Sequence, residues 1–289
     1  MNRRSFIRRT AGAVLASGIG CVGYAIGVEP HWLEIVEREL VVEHLPASLA
    51  GARLAQLSDL HIGPQVSDDY IVHSFDRLRA LHPDIIVITG DYITHRRSRG
   101  EAQYGQLRDV LAHLPHGRIA TLGILGNHDY GRGWGDPAIA AGVVAEVERA
   151  GVRVLRNEVQ AVQGLDFIGI DDLWAHRGDP PAALHARESA AAIALVHNPD
   201  AADEQSWRGF RGWMLAGHTH GGQCKPPFLL PPLLPVKNRR YVAGEVSVDA
   251  ERTLYISRGV GHLIRARFNA RPEITIFTLR PATVSGARA

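Results

Sequence analysis

The sequence predicts an α/β fold, and two observations predict it. Short apolar runs at 53–58, 85–88 and 119–125 alternate with stretches whose apolar residues recur at helical spacing. Each run also ends in residues suited to chemistry: Asp59 and His61, then Asp91, then Asn127, His128 and Asp129. Open α/β sheets carry their sites at the carboxyl ends of strands, and three such endings in succession are hard to explain as turns.

The bulk numbers fit one catalytic domain behind an N-terminal segment. The chain has 289 residues, 45% of them hydrophobic, enough for a sizeable core, with no internal repeat or long linker. A net charge of +2 argues against nucleic acid as a partner. With two cysteines, one of them Cys21 in the N-terminal apolar run, no disulfide framework is expected.

Taken in order, the chain opens with Arg3, Arg4, Arg8 and Arg9, followed by residues 11–28 without a charge. A basic region before an apolar one is the pattern of an export signal. Arg3-Arg4-Ser5-Phe6-Ile7-Arg8 adds a twin-arginine pattern, which a receptor reads as an address. Residues 1–28 are therefore expected to be a twin-arginine leader. It would place the domain 29–289 in the periplasm or on the outer face of the cytoplasmic membrane. Three fates stay open: cleavage near Gly23-Tyr24-Ala25, lipidation at Cys21, or retention as an anchor.

Residues 33–36 and 40–42 read as a first strand region, and 53–58 as a strand running into Asp59-Leu60-His61. On an extended segment, residues two apart point the same way, so Asp59 and His61 are expected to face one ion. Ser67 suits an N-cap, with Asp68 and Asp69 in the first turn. Ile71, Phe75, Leu78 and Leu81 fall at helical spacing until Pro83 stops the helix. The run 85–88 has the length and composition of a strand buried on both faces. A helix is expected over 101–114, and then the strand 119–125. Asp136-Pro137 reads as N-cap and first helical residue, Ile139, Val143 and Val147 as an apolar stripe, and Gly151 as the stop.

The second half is richer in strands, expected at 152–155, 158–162, 165–170, 191–196, 212–216, 241–248, 253–257 and 273–279. The strand 191–196 ends in His197. The strand 212–216 ends in Gly217-His218-Thr219-His220.

Five strand ends thus supply seven candidate metal ligands: Asp59, His61, Asp91, Asn127, His197, His218 and His220. Two carboxylates, an amide oxygen and four imidazoles, with no thiolate, suit manganese, iron, zinc or a similar divalent ion. Seven ligands exceed the needs of one catalytic ion. With Asp91 shared they divide into two sets of four, and two ions roughly 3.5–4 Å apart clamp an in-line displacement at phosphorus and generate a hydroxide nucleophile.

The ordered series Asp-x-His, Gly-Asp, Gly-Asn-His-Asp, His and Gly-His-x-His resembles the calcineurin-like metallophosphoesterases over roughly residues 54–279. The flanking stretches Asp172-Leu173-Trp174, His197-Asn198-Pro199-Asp200 and Arg271-Pro272-Glu273 look like its YaeI-type phosphodiesterase branch, which also carries a twin-arginine leader. The resemblance implies a four-layer αββα sandwich with two central mixed β-sheets. It implies two divalent metal ions, the first on Asp59, His61, Asp91 and His220 and the second on Asp91, Asn127, His197 and His218. A metal-bridging hydroxide would attack a phosphodiester or pyrophosphate in line. His128 matches the family's unligated histidine, the acid for the leaving oxygen, and Asp129 the acidic residue that orients it.

The stretch 226–235, Pro-Pro-Phe-Leu-Leu-Pro-Pro-Leu-Leu-Pro, is apolar and stiff, with Lys237, Arg239 and Arg240 beside it. An exposed apolar lip marks a lipid or membrane contact. A lipid-linked substrate is therefore one expectation. The narrower alternative resembles the LpxG-type pyrophosphatases that cleave UDP-2,3-diacylglucosamine in lipid A synthesis. A non-enzymatic binding scaffold on the same fold is the second alternative, although such a scaffold would be expected to have lost ligands.

Overall fold

The computed structural model describes residues 3–94, 100–207 and 209–282. Helix α1 (Arg3–Gly27) leads into the long strand β1 (Glu34–Val42) and then β2 (Arg53–Leu57). Three strand–helix steps follow: α2 (Asp68–Arg79), β3 (Ile85–Thr89), α3 (Glu101–Leu111), β4 (Ala120–Ile124) and α4 (Pro137–Arg149). The second half contains β5 (Arg153–Val154), β6 (Glu158–Val162), β7 (Leu165–Gly169), the short helix α5 (Pro180–His185), β8 (Ala192–Leu195), β9 (Gly212–Ala216), β10 (Gly244–Ser247), β11 (Arg252–Ile256) and β12 (Glu273–Pro281).

These strands make two mixed six-stranded sheets, in the orders β1-β12-β2-β3-β4-β5 and β10-β11-β9-β8-β7-β6. Strand periodicity builds the layers. In β3, Ile86 and Ile88 face one side and pack with Phe75 and Leu78 of α2, Leu107 of α3 and Val143 of α4. Ile85 and Val87 face the other side and meet Phe167, Ile193 and Leu195 of the second sheet. Beyond that sheet, Ala192 and Ala194 of β8 pack with Met214, Leu254, Trp207 and Phe210. The run is buried on both faces, as its unbroken apolar character requires. Each fully buried Ile or Val side chain contributes about 1.5–3 kcal/mol.

The expected αββα sandwich is present, with unequal outer layers. Three helices cover the first sheet. Over the second sheet lie only the six-residue α5 and short 3₁₀ turns at Pro199–Asp203 and Gln205–Trp207. Helix α5 was not expected. Its signal is the same Asp-Pro pair that starts α4: the side chains of Asp179 and Asp136 each accept a hydrogen bond from the first turn. Other differences are small. Ser67 precedes α2 without a side-chain cap, α3 stops at Leu111, and β10 begins at Gly244 because the Tyr241 hydroxyl donates to Asp203 Oδ1, 2.5 Å away, outside the ladder. Among the described residues, no helix is long and apolar enough to cross a membrane.

Candidate metal centre

β2, β3, β4, β8 and β9 point their carboxyl ends at one place, and all seven expected ligands lie there, buried. Two groups form. Asp59, His61 and His220 make one, and Asp91, His197 and His218 make the other. Within each group one ligand atom per residue lies within 4.8 Å of the others. Asp91 Oδ2 stands between the groups, 3.6 Å from His61 Nε2 and 3.2 Å from His197 Nε2. His61 Nε2 and His220 Nε2 face each other at 3.1 Å, and His218 Nδ1 lies 3.3 Å from His197 Nε2.

The local backbone differs from a strand. Asp59, His61, Asp91, His218 and His220 all have positive φ, between 49° and 72°. For a residue with a Cβ this left-handed conformation costs roughly 1–2 kcal/mol. Asp59 and His61 therefore converge through two left-handed turns beyond the end of β2, and the alternation expected of an extended segment is not the reason. Backbone bonds over-determine these turns: Asp59 N–H donates to Gly90 O at 3.0 Å and His61 N–H to Asp91 O at 3.0 Å. Small residues permit the approach. A Cβ on Gly126 would sit 2.3 Å from Asp91 Oδ1, and one on Gly217 would sit 1.8 Å from Ser58 Oγ.

The distal nitrogens show which ring edges face the ions. His197 Nδ1 lies 2.7 Å from Thr89 O, and His218 Nε2 lies 2.9 Å from Pro235 O. Each can only donate to a carbonyl, which turns His197 Nε2 and His218 Nδ1 toward the centre; His218 Nδ1 carries a lone pair there, while His197 Nε2 faces Asp91 and gives up its proton when an ion binds. His61 Nδ1 lies 2.9 Å from Thr94 Oγ1.

Burial sets the electrostatics. It pushes His61 and His218 down to about 3, which keeps both rings neutral, as metal ligation requires. Burial pushes Asp59 up to about 6, partly offset by the charge of His197. Burial also opposes the charged forms of Asp91 and His197, but each outweighs it for the other: Asp91 is held well below the carboxylate range and His197 well above the imidazole range.

The two remaining residues of the motif separate. His128 is half-buried at the floor of a cavity, its ring 5.1 Å from that of His61 and its N–H donating to Asp91 Oδ1 at 2.8 Å. Asp129 does not orient that ring. Its carboxylate is fully buried and accepts from the backbone N–H groups of Asp91, Tyr92, Ile93 and Gly126, at 2.9–3.2 Å. Four amides satisfy both oxygens and fix the turn that carries Asp91.

Sequence reading supplied the ligands and the apolar stretch of this cavity but missed Trp134, Leu263 and Ile264. The cavity holds about 510 Å³ and is lined on one side by Asp91, Asn127, His128 and His220, and on the other by Leu233, Leu234, Leu263 and Ile264. Trp134 and Trp174 pack at 4.6 Å, with Trp174 edge-on to His218 at 4.5 Å. These residues come from irregular segments with no periodicity to mark them. The loop 226–235 is apolar and outward-facing as expected, with Phe228, Leu229, Leu230 and Leu233 exposed. Arg258, next to the site, is paired with Glu273 and Glu34.

The donor set fits two divalent ions. Asn127 is buried, yet neither its Oδ1 nor its Nδ2 has a hydrogen-bond partner among the described residues. A buried amide without partners costs free energy unless another species satisfies it, and an ion beside Oδ1 does so. Carboxylate, amide and neutral imidazole are the ligands such ions prefer.

Comparison with known proteins agrees with this geometry. Residues 52–222 match the family described as calcineurin-like phosphoesterase. The chain is similar to phosphodiesterase YaeI of Escherichia coli (strain K12), 32% identical over 96% of this chain and 99% of that protein. It is more distantly similar to the UDP-2,3-diacylglucosamine pyrophosphatase LpxG of Chlamydia trachomatis, 25% identical over 91% of this chain and 94% of that protein. Among solved structures, a dimetal phosphatase from Danio rerio shares the fold, with a TM-score of 0.50 at 10% identity, covering 79% of this chain and 99% of the other.

Proposed function

This chain belongs to the calcineurin-like phosphoesterase family and is a metal-dependent phosphoric ester hydrolase with a dimetal centre, and from that premise we propose a phosphodiesterase acting on a diester or pyrophosphate that carries an apolar group. The observation that carries the finer reading is the cavity, which joins the metal ligands on one wall to Leu233, Leu234, Leu263 and Ile264 on the other. When bound, the two ions supply a nucleophile at neutral pH and offset the charge that develops at phosphorus. Asp59, His61, Asp91 and His220 would hold the first, and Asp91, Asn127, His197 and His218 the second. His128 reaches the same cavity from between the groups. Its ring nitrogen holds the proton that the departing oxygen takes. Asp91 places it, through the bond from Oδ1 to the His128 amide. Trp134 and Trp174 add aromatic surface to that side of the cavity.

An apolar group on the leaving side makes a lipid-linked substrate the favoured member of the class. The loop 226–235 then serves as the contact with lipid, and no nucleic acid is expected. Helix α1, with its Arg3-Arg4 pair, fits delivery by the twin-arginine route, which puts the site on the outer side of the cytoplasmic membrane. The cavity also suits an LpxG-type reaction on UDP-2,3-diacylglucosamine, but that reading requires a site facing the cytoplasm. A binding scaffold would not keep all seven ligands buried and convergent.

The test uses the full chain loaded with Mn²⁺, with metal content measured. It is assayed on bis(p-nitrophenyl) phosphate, p-nitrophenyl phosphate and a lipid pyrophosphate. Diester or pyrophosphate turnover above monoester turnover is the expected result. Two bound ions with no turnover of any of the three would sink the phosphodiesterase reading.

A further inference from the structure

Building on the dimetal reading above, we propose that Arg267 is the positioning residue of the first metal group, and that the end of helix α1 locks it in place. Arg267 is fully buried, and no carboxylate pairs with it among the described residues. Arg258 and Arg156, both partly buried, are by contrast paired with Glu273 and Asp171. A desolvated guanidinium without a counter-ion is costly, so its hydrogen bonds must hold something in place. It donates from Nη1 to Ala270 O at 2.9 Å, and from Nη2 to Arg258 O at 2.9 Å, Gly259 O at 3.2 Å and Gly261 O. The same Nη2 lies 3.3 Å from His220 Nδ1.

Those carbonyls belong to the loop that backs the first group. Val260 N–H donates to Ser58 O at 2.9 Å and Gly261 N–H to Asp59 O at 2.7 Å. The fit leaves no slack: a Cβ on Gly259 would sit 2.7 Å from Asp59 Cβ, and one on Gly261 would sit 2.2 Å from Leu60 O. Arg267 therefore ties down, through one guanidinium, the loop that supports Asp59, and it packs beside the His220 ring, whose Nδ1 carries a proton and takes no hydrogen bond from it when Nε2 faces an ion. Asn127, His197 and His218 take no hydrogen bond from it. Its influence falls on one metal group of the two.

Arg267 is held from the opposite side by the N-terminal segment. Its backbone N–H donates to Ala25 O at 2.8 Å. The Tyr24 ring meets Phe268 edge-on at 6.4 Å, and the buried Glu29 accepts the Ala270 N–H through Oε1 at 2.6 Å. The residues 24–29 thus belong to the working enzyme. Cleavage after Ala25 would remove the carbonyl that anchors Arg267.

The test compares wild type, Arg267→Lys, Arg267→Met and Glu29→Gln as full chains titrated with Mn²⁺. Equilibrium dialysis gives the two dissociation constants, and electron paramagnetic resonance separates a coupled pair from an isolated ion. Arg267→Lys and Arg267→Met should weaken one site at least tenfold and leave the other unchanged. The coupled signal then gives way to an isolated-ion signal at a Mn²⁺ concentration that saturates wild type. Glu29→Gln should act in the same direction by a few-fold. If Arg267→Met does not fold, the lysine and glutamine variants carry the result. Two unchanged constants in these variants, or a parallel loss of both ions, would overturn the proposal. Fewer than two ions in wild type would instead overturn the dimetal reading beneath it.

Discussion

The two walls of the cavity are built on opposite plans. One is set by strand ends. Asp91, Asn127, His218 and His220 are buried, and Asp91, His218 and His220 are fixed in left-handed conformations. The other wall is carried by loops. Leu233 is 75% exposed and Ile264 62% exposed, and neither lies in a strand or helix. The first wall has one allowed arrangement, which suits chemistry that depends on fixed distances. The second wall supplies apolar area without fixed geometry, which suits a substrate group recognised by burial alone. The lesson is that the reaction is tied to the sheets and the choice of substrate to the loops, and each half of that claim can be broken separately.

The largest effect belongs to the residue shared by both metal groups. Asp91→Asn should reduce turnover more than about 1,000-fold, beyond the roughly 100- to 1,000-fold that losing one transition-state donor costs. Metal analysis should show both ions weakened together, and loss of only one would break the shared role. His128→Ala should lower kcat by about 100- to 10,000-fold with both ions retained, which a metal titration beside steady-state kinetics checks.

Asp129→Asn offers one carboxamide oxygen where the carboxylate offered two. It should destabilise the fold by about 1–3 kcal/mol, the cost of leaving a buried amide without its acceptor. Chemical denaturation measures this. A loss of kcat as large as that of His128→Ala, with stability intact, would restore the orienting role that the geometry denies it.

The pH dependence comes next. Burial holds Asp59 at about 6, so below that pH the carboxyl carries a proton that an incoming cation must displace. Above pH 6 it is charged and no such competition exists. His61 and His218, held at about 3, stay neutral throughout this window. Mn²⁺ affinity at the first site should be level above pH 6 and fall about tenfold per unit from pH 6 toward 4. A break near 6.5 of the size expected for several histidines would contradict it.

The smallest effect tests the loop wall. Ile264→Ser with Leu233→Ser should raise KM for an apolar substrate about tenfold, and leave bis(p-nitrophenyl) phosphate unchanged. Equal losses on both substrates would mean that the loops support the metal groups as well.

The same division explains what the sequence made legible. Ile85 to Thr89 and Ala120 to Ile124 announce themselves as strands because burial on both faces demands unbroken apolar residues. The ligands could be read because each follows such a run. The left-handed turns at Asp59, His61, Asp91, His218 and His220 could not, because aspartate and histidine, though enriched at φ > 0, adopt it in only a small share of their occurrences. Asp129 is a different case: the resemblance makes it the partner of His128, and no local pattern shows that the amides of Asp91, Tyr92 and Ile93, beyond the end of β3, converge on its carboxylate with that of Gly126. Trp134, Leu263, Ile264 and Arg267 act through contacts between distant loops, which no spacing records.

β12 lies between β1 and β2, parallel to one and antiparallel to the other. Until residues 273–281 have been synthesised, the strand that ends in Asp59 has an open edge and β1 has no neighbour. The first sheet therefore cannot close while the chain is still emerging from the ribosome, and its metal ligands cannot be fixed in that order of events. Assembly must wait for the far end of the chain and then happen in one step, with long-range pairings that slow folding. The chain's exposure to aggregation is greatest in the interval before that step.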